Sequence, residues 1–330
     1  MLAAVLVSLN LTEVLLLLRL NGWNRDLFDA LERRDDAATL LGYGRILVLL
    51  ALGFAVASWA NLHTRRRLAL GWRRWLTLRL TQGWLAAGGP GTANADGRIA
   101  EDARIATEEA LELASSGTHA VIRLSCFVGV LWTLSGHPAF RLGGVLVNVP
   151  GYLLWVAMLY AALGVTCASL LGRPLVLTTE QRQGMEADYR AGLLGAPTGN
   201  ASARARLSRM FEALAETFHR QSQAVGRLQL FGVANVRLGA GLPLLVATPA
   251  YLAGVVTLGW VIQASQAFLE VAAALNWPVD NMPRIAIWRA SAQRVVALHM
   301  AGLPAGGLAS QAASAYMPGL GAVPRPAPAE

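Results

Sequence analysis

Long apolar stretches separated by charged segments set the pattern of this chain. A bilayer core takes about 20 mostly apolar residues in one helix. Residues 1–20 (MLAAVLVSLNLTEVLLLLRL) meet that need, with Glu13 the only acid among them. The segment has no basic start and no small-x-small cleavage site before Trp23, so it reads as a retained helix rather than a cleaved leader; a true start upstream of Met1 is expected. Further apolar stretches cover residues 40–62, closed by His63 and the run Arg65, Arg66, Arg67, then 118–134 and 145–171. The last apolar region, 228–277, is too long for one crossing. It contains Pro243, Pro249, Gly254 and Gly259, and a break at Leu252–Gly254 divides it into 228–251 and 255–277, leaving Arg237 inside the fifth helix. The pattern predicts an all-α polytopic membrane protein with six spans.

The connections are unequal. Residues 21–39, 135–144 and 252–254 are short links, whereas 63–117 and 172–227 are long. Each long link reads as two helices around a break. In the first, amphipathic Trp72–Leu85 is followed by Gly88-Gly89-Pro90-Gly91 and then by a helix over Asp96–Leu113. In the second, a helix over Thr179–Leu194 meets a break at Gly195–Asn200, and Ala201–Arg227 resumes. Twenty to twenty-five helical residues rise roughly 30–37 Å, so the spans before and after each long link extend into one protruding hairpin. That pattern resembles the transmembrane domain of exporter-type ABC transporters. The domain is placed at 1–301; residues 302–330, rich in Gly, Ala and Pro, read as a disordered tail.

Charge refines the picture. The chain is 55% hydrophobic and 15% charged, with mean hydropathy +0.44 and net charge +8. Its basic residues are all Arg. They concentrate in the long links, while the first short link offsets its arginines with Asp26, Asp29, Glu32, Asp35 and Asp36. The positive-inside rule then places the long links and both termini in the cytoplasm, and the positive charge becomes a topology signal rather than a nucleic-acid footprint. With no Lys, these residues cannot build a P-loop, the strand lysine of a kinase or a pyridoxal Schiff base. Cys126 and Cys167 lie in apolar runs and read as inert thiols. His63, His119, His137, His219 and His299 are scattered without metal spacing and receive no role. No enzyme, cofactor or metal site is expected.

Several segments resemble the SbmA/BacA peptide-antibiotic transporters and the related subfamily-D ABC permeases. They are Asn21–Arg33 (NGWNRDLFDALER), Trp72–Thr77 (WRRWLT), Asn94–Asp102 (NADGRIAED, with Ala95 and Gly97 as departures), Glu180–Arg190 (EQRQGMEADYR), Pro249–Phe268 (PAYLAGVVTLGWVIQASQAF) and Trp288-Arg289-Ala290 with Arg294. Ile287 stands where the family often has Glu, Ala86–Thr92 replaces a tyrosine-rich stretch, and Gly195–Arg206 replaces an Asn-Ala-Glu segment of the subfamily-D permeases, a difference that leans toward the SbmA/BacA side. The resemblance implies a homodimer of six-helix subunits in a bacterial inner membrane, moving peptides or other bulky amphipathic solutes. It implies a proton gradient as the drive in SbmA/BacA members and a fused ATPase in subfamily-D members; the residues after Arg294 are too few for an ATPase domain. A permease served by a separately encoded ATPase, and a non-transporting remnant or scaffold, are the competing expectations.

Ionisable residues inside a span are expensive and tend to face a cavity or a partner. Glu13 in span one is therefore a candidate proton-coupling group, with pairing to a neighbour such as Arg237 as the structural alternative. Gln263, Gln266 and Glu270 follow an i, i+3, i+7 spacing on span six and share one face, which lines either a hydrated path or a helix contact; Glu270 is the second coupling candidate. Asp96, Arg98, Glu101, Asp102, Glu180, Arg182, Glu186, Asp188 and Arg190 could clasp the two hairpins, or form a solvated face.

Overall fold

The computed structural model describes residues 1–86, 95–136, 139–142, 145–148, 150–194 and 201–301. The described helices are α1 (Leu2–Arg33), α2 (Ala37–Ala86), α3 (Ala95–Gly97), a π-helical segment (Arg98–Asp102), α4 (Ala103–Leu134), α5 (Tyr152–Leu194), α6 (Ala201–Leu252), α7 (Leu258–Asp280) and α8 (Met282–Ala301). Among the described residues six helical runs are long and apolar enough to cross a membrane, so the chain is an all-α polytopic membrane protein. One two-stranded ribbon interrupts the helices, with β1 (Ala139–Leu142) antiparallel to β2 (Val145–Asn148) and Phe140 opposite Val147.

The helices are longer than the apolar stretches that predict them. The first does not stop at residue 20: α1 runs to Arg33 because Trp23 and Ala30, seven residues apart on one face, remain buried. The expected link 21–39 shrinks to a turn. Arg34 takes a left-handed φ of 58°, and the amides of Arg34 and Asp35 donate to the carbonyls of Leu31 and Ala30, a Schellman ending with a non-glycine residue at its left-handed position. The fourth span begins at Tyr152 rather than residue 145, because Val145–Asn148 pairs as β2 and Gly151, at φ 71°, turns the chain into α5. Pro243 and Pro249 do not interrupt α6. The break comes after Leu252, where Gly254 has φ 69° and the amides of Gly254 and Val255 return to Tyr251 and Ala250. The sixth span accordingly starts at Leu258 rather than 255. The breaks expected at 88–91 and 195–200, and the tail 302–330, lie outside the described residues.

Contacts group the chain into two compact units. One contains Leu11–Val56 and His119–Asp280. Its core joins Phe127 and Leu131 of α4, Leu153 and Ala157 of α5, and Ala264, Ala267, Phe268 and Val271 of α7. The α7 residues recur at the three- and four-residue intervals of a single helical face, and the two alanines allow close approach. In this unit α5 and α6 form an antiparallel pair over most of their length. The Tyr160 hydroxyl donates to the carbonyl of Asn235, Arg182 donates to Gln221 at 3.0 Å, and the rings of Tyr189 and Phe211 lie 5.8 Å apart.

The other unit contains Met1–Asn10, Ala57–Thr118 and the chain from Asn281. Here the end of α2 runs antiparallel to the start of α4, and α8 completes the packing. Leu80, Ala103, Ala106, Val295 and Leu298 form the buried cluster, flanked by Leu76, Trp84, Ile99 and Ala292. The helical extensions beyond spans two, three, four and five thus exist as the unequal links predict.

Candidate functional site

The first unit described carries a polar seam between apolar helices. α1 supplies Glu13, Asn21 and Asn24. α7 supplies Gln263, Gln266 and Glu270, and α4 supplies His119 and Arg123, one turn apart. Glu13 Oε2 lies 3.6 Å from His119 Nδ1, and Arg123 Nη1 lies 3.2 Å from Glu270 Oε2. All four side chains are largely covered, with exposures between 16% and 28%. Both sequence-derived carboxylates are therefore answered by a basic side chain of the same helix. The partner suggested for Glu13 was Arg237; the structure places His119 there instead and leaves Arg237 exposed on α6.

Farther along the seam, Asn21 Nδ2 donates to the backbone carbonyl of Gln263 at 3.0 Å, and Asn24 Nδ2 donates to Gln266 Oε1 at 2.9 Å. The stripe predicted on α7 thus divides its tasks: Gln266 meets α1, while Glu270 meets α4. Gln263 Oε1 and Arg123 Nε are buried without a hydrogen-bond partner among the described residues. Unsatisfied polar atoms are unusual in a packed interior, and two of them lie on the seam.

The same two helices are joined at the start of α7. Its first amides are open donors at the positive end of the helix. Glu32 Oε2 accepts from the amide of Leu258 and Asp29 Oδ1 from that of Gly259, both at 2.9 Å. Thr257 Oγ1 caps the amide of Trp260 at 3.2 Å. A Cβ on Gly259 would fall 2.2 Å from the carbonyl oxygen of Arg25 and 2.3 Å from Asp29 Oδ1, so only glycine permits this approach. A cleft of about 570 Å³ lies beside the cap, lined by Asp29, Glu32, Arg33, Tyr251 and residues of the α6–α7 turn.

The second unit holds a denser set of charges. Arg294 of α8 grips Asp102 with two hydrogen bonds of 2.7 Å and a third, of 3.0 Å, to Ser291. The hydrogen bond from Arg294 holds the Asp102 carboxyl below the usual carboxylate range, against the opposing effect of burial. Arg284 donates to Glu109 at 2.9 Å and lies 3.6 Å from Glu112, which also pairs with Arg65 at 2.6 Å. Beside them a buried amide cluster ties three helices: Asn61 Nδ2 donates to Asn10 Oδ1 at 2.8 Å, and Asn10 Nδ2 donates to the carbonyl of Ser115 at 3.3 Å.

Among the other hairpin residues, Asp96, Glu101, Asp188 and Arg190 are exposed and Arg98 is half-buried. Arg182 pairs with Glu186 on its own helix at 2.8 Å and lies over the Phe218 ring. The side chain of Glu180 is outside the described residues. Sequence reasoning joined Asp102 and Arg294 only as members of separate motifs, and the structure makes them one contact. It missed His119 and Arg123 as partners, although two basic residues four apart within an apolar span were a usable signal. It also missed Asp29 and Glu32 as caps, for which no local pattern exists, since the amides that donate to them lie more than two hundred residues away.

Comparison with known proteins agrees with this picture. The family model described as SbmA/BacA-like family matches residues 1–300. The Escherichia coli K12 protein named inner membrane ABC transporter ATP-binding protein YddA is 24% identical over 91% of this chain and 56% of its own length. An uncharacterized ABC transporter ATP-binding protein of Synechocystis is 24% identical over 77% of the chain and 38% of its own length, and one of Haemophilus influenzae is 23% identical over 58% and 33%. The chain thus spans between about a third and just over half of the length of these curated relatives. A family match over nearly the whole described fold, on six apolar helices with charged pairs between them, assigns the chain to the SbmA/BacA-like family of membrane transporters.

Proposed function

We propose that the chain moves peptides or other bulky amphipathic solutes across a bacterial inner membrane, by alternating access in a homodimer driven by the proton gradient. The observation that carries this reading is the seam. A transporter coupled to protons needs protonatable groups inside its spans, and carboxylates in apolar helices persist only where a partner or a function offsets their expense. Glu13 and Glu270 sit there opposite His119 and Arg123. The arginine bias supports the orientation with both termini and both helical hairpins in the cytoplasm, and the wide apolar surface of the single chain supports a membrane-embedded assembly.

A second reading has one specific support. All three relatives are named as ATP-binding proteins of ABC transporters and are longer than the matched region. In that reading the chain is the membrane part of a system energised by an ATPase. Cells with and without the chain, challenged with peptide antibiotics in the presence and absence of an uncoupler, separate the two. Proton-driven uptake gives sensitivity that requires the chain and disappears with the uncoupler. Sensitivity that survives the uncoupler and needs ATP favours the ATPase. No change in sensitivity removes peptide uptake altogether.

A further inference from the structure

Span two is expected to end at residue 62, but α2 continues to Ala86 and carries Arg65, Arg66 and Arg67 just past that point. Three successive helical residues spread over about 200°, and the arginines are sorted accordingly. Arg65 meets Glu112 of α4 at 2.6 Å. Arg66 and Arg67 are exposed, and neither forms an ion pair among the described residues. They belong to a stripe. Trp59, His63, Arg67, Leu70 and Arg74 recur at three- and four-residue intervals on one face of α2, and Arg66 fits between His63 and Leu70 at the same spacing. All six are exposed. The α4 carboxylates of this unit are engaged elsewhere: Glu108 by Arg104, Glu109 by Arg284 and Glu112 by Arg65. Residues 302–330 contain one Arg and one Glu, so they bring no surplus of negative charge.

Depth along the helix identifies what answers this charge. Trp59 is 63% exposed, and its ring centre lies 4.2 Å from that of His63; exposed tryptophans at the end of a span sit at headgroup level. At 1.5 Å per residue, Arg66 and Arg67 stand roughly 6–8 Å past residue 62. The headgroup layer lies there, since a hydrocarbon core of about 30 Å sits in a bilayer of about 40–45 Å. Arg74 and Arg79 stand roughly 18–26 Å past the same point, more than a Debye length of about 8 Å beyond the first pair, and Arg79 already lies over the Trp75 ring. Arginines clustered just outside a span attract anionic lipid. We propose that this face of α2 is a binding surface for anionic phospholipid, in which Arg66 and Arg67 take the phosphate charge, Trp59 and His63 lie at the boundary between headgroup and chain, and Arg74 and Arg79 act only as screened, distant charge. The contact fixes the depth of α2 in the leaflet, whatever drives transport.

The test uses the purified full chain in neutral detergent, titrated with phosphatidylglycerol, with phosphatidylcholine of the same chains, with free glycerol phosphate and with a glutamate-rich peptide; native mass spectrometry counts what is bound. Wild type should prefer phosphatidylglycerol to phosphatidylcholine, and the preference should weaken as ionic strength rises. R66Q/R67Q should bind phosphatidylglycerol about 25-fold more weakly, roughly fivefold for each arginine at the surface, whereas R74Q/R79Q should lose less than about fivefold in all. R66K/R67K should bind as wild type does, because a lipid surface reads the charge rather than the fork of the guanidinium. All these side chains are exposed, so the lipid-free thermal midpoints should match wild type. A wild-type preference indifferent to salt, wild-type affinity in R66Q/R67Q, a larger loss in R74Q/R79Q or a loss in R66K/R67K overturns the proposal. Glycerol phosphate bound as tightly as the lipid would make the site one for soluble phosphate, and the acidic peptide bound more tightly would make it one for a protein; either result also overturns it.

Discussion

The α1–α7 contact in one unit and the α2–α4–α8 contact in the other are both polar, and they are built on opposite principles. The first relies on a few close contacts, each made by one group with no substitute: a carboxylate on each of two α7 amides, an asparagine on each of two α7 glutamines, and a glycine where no other residue fits. The second is shared among interchangeable partners. Glu112 is held by both Arg65 and Arg284, and Arg284 by both Glu109 and Glu112. A buried contact such as that of Asn21 cannot borrow water when a partner is lost, while an ion pair on a helical extension can. The two designs therefore predict very different responses to single substitutions.

The largest effect is expected at Gly259. In Gly259→Ala the new Cβ overlaps the Arg25 carbonyl and the Asp29 carboxylate. Neither can withdraw without opening the cap on α7, and the backbone oxygen cannot rotate away. A loss of about 3 kcal/mol or more is expected, read as a collapse of the thermal midpoint of the detergent-solubilised protein. A wild-type midpoint in this variant would show that the α1–α7 contact is as adaptable as the ionic one, and the contrast would fall.

Asp102→Asn comes next and probes the strongest contact of the ionic set. It removes a charge-assisted, two-pronged grip on a carboxylate whose side chain is 11% exposed, although Arg294 is 49% exposed and recovers water. The expected loss is about 1–2 kcal/mol. The pH dependence gives a second check. The Asp102 carboxyl is held below its ordinary value, so its contribution is complete above the unfolded carboxylate value and is lost as pH falls through the folded one. Thermal midpoints of wild type should therefore decline more steeply below about pH 4 than those of Asp102→Asn.

What could be read in the sequence follows the same division. The apolar stretches and unequal links predict the spans and both helical extensions, because burial in lipid and helix periodicity act locally along the chain. The long-range contacts are not local. Asp29 and Glu32 look like ordinary surface acids until α7 is placed against α1, and Asp102 has nothing in its neighbourhood to indicate Arg294. Glu13 and Glu270 were recognisable because a charge in a span is conspicuous by itself, but their partners required the fold. The start of span four was misplaced for a related reason: Val145–Asn148 is apolar enough for a helix, and its pairing with Ala139–Leu142 is a contact between two segments that hydropathy does not register.

The smallest effect sharpens the comparison from the other side. Arg73 Nη1 lies 3.8 Å from Glu108 Oε1, too far for a hydrogen bond, with side-chain exposures of 38% and 44%. Glu108 also accepts from Arg104 on its own helix at 3.0 Å. Removing Arg73 therefore strands no charge, since Glu108 keeps one partner and has water as another. Arg73→Gln is expected to change stability by less than about 0.5 kcal/mol, and its midpoint should match wild type at low and high salt alike. A loss near that of Asp102→Asn would mean that the ionic set behaves as a single cooperative network, in which each pair depends on the rest, and the distinction between shared and irreplaceable contacts would have to be redrawn within this unit rather than between the two.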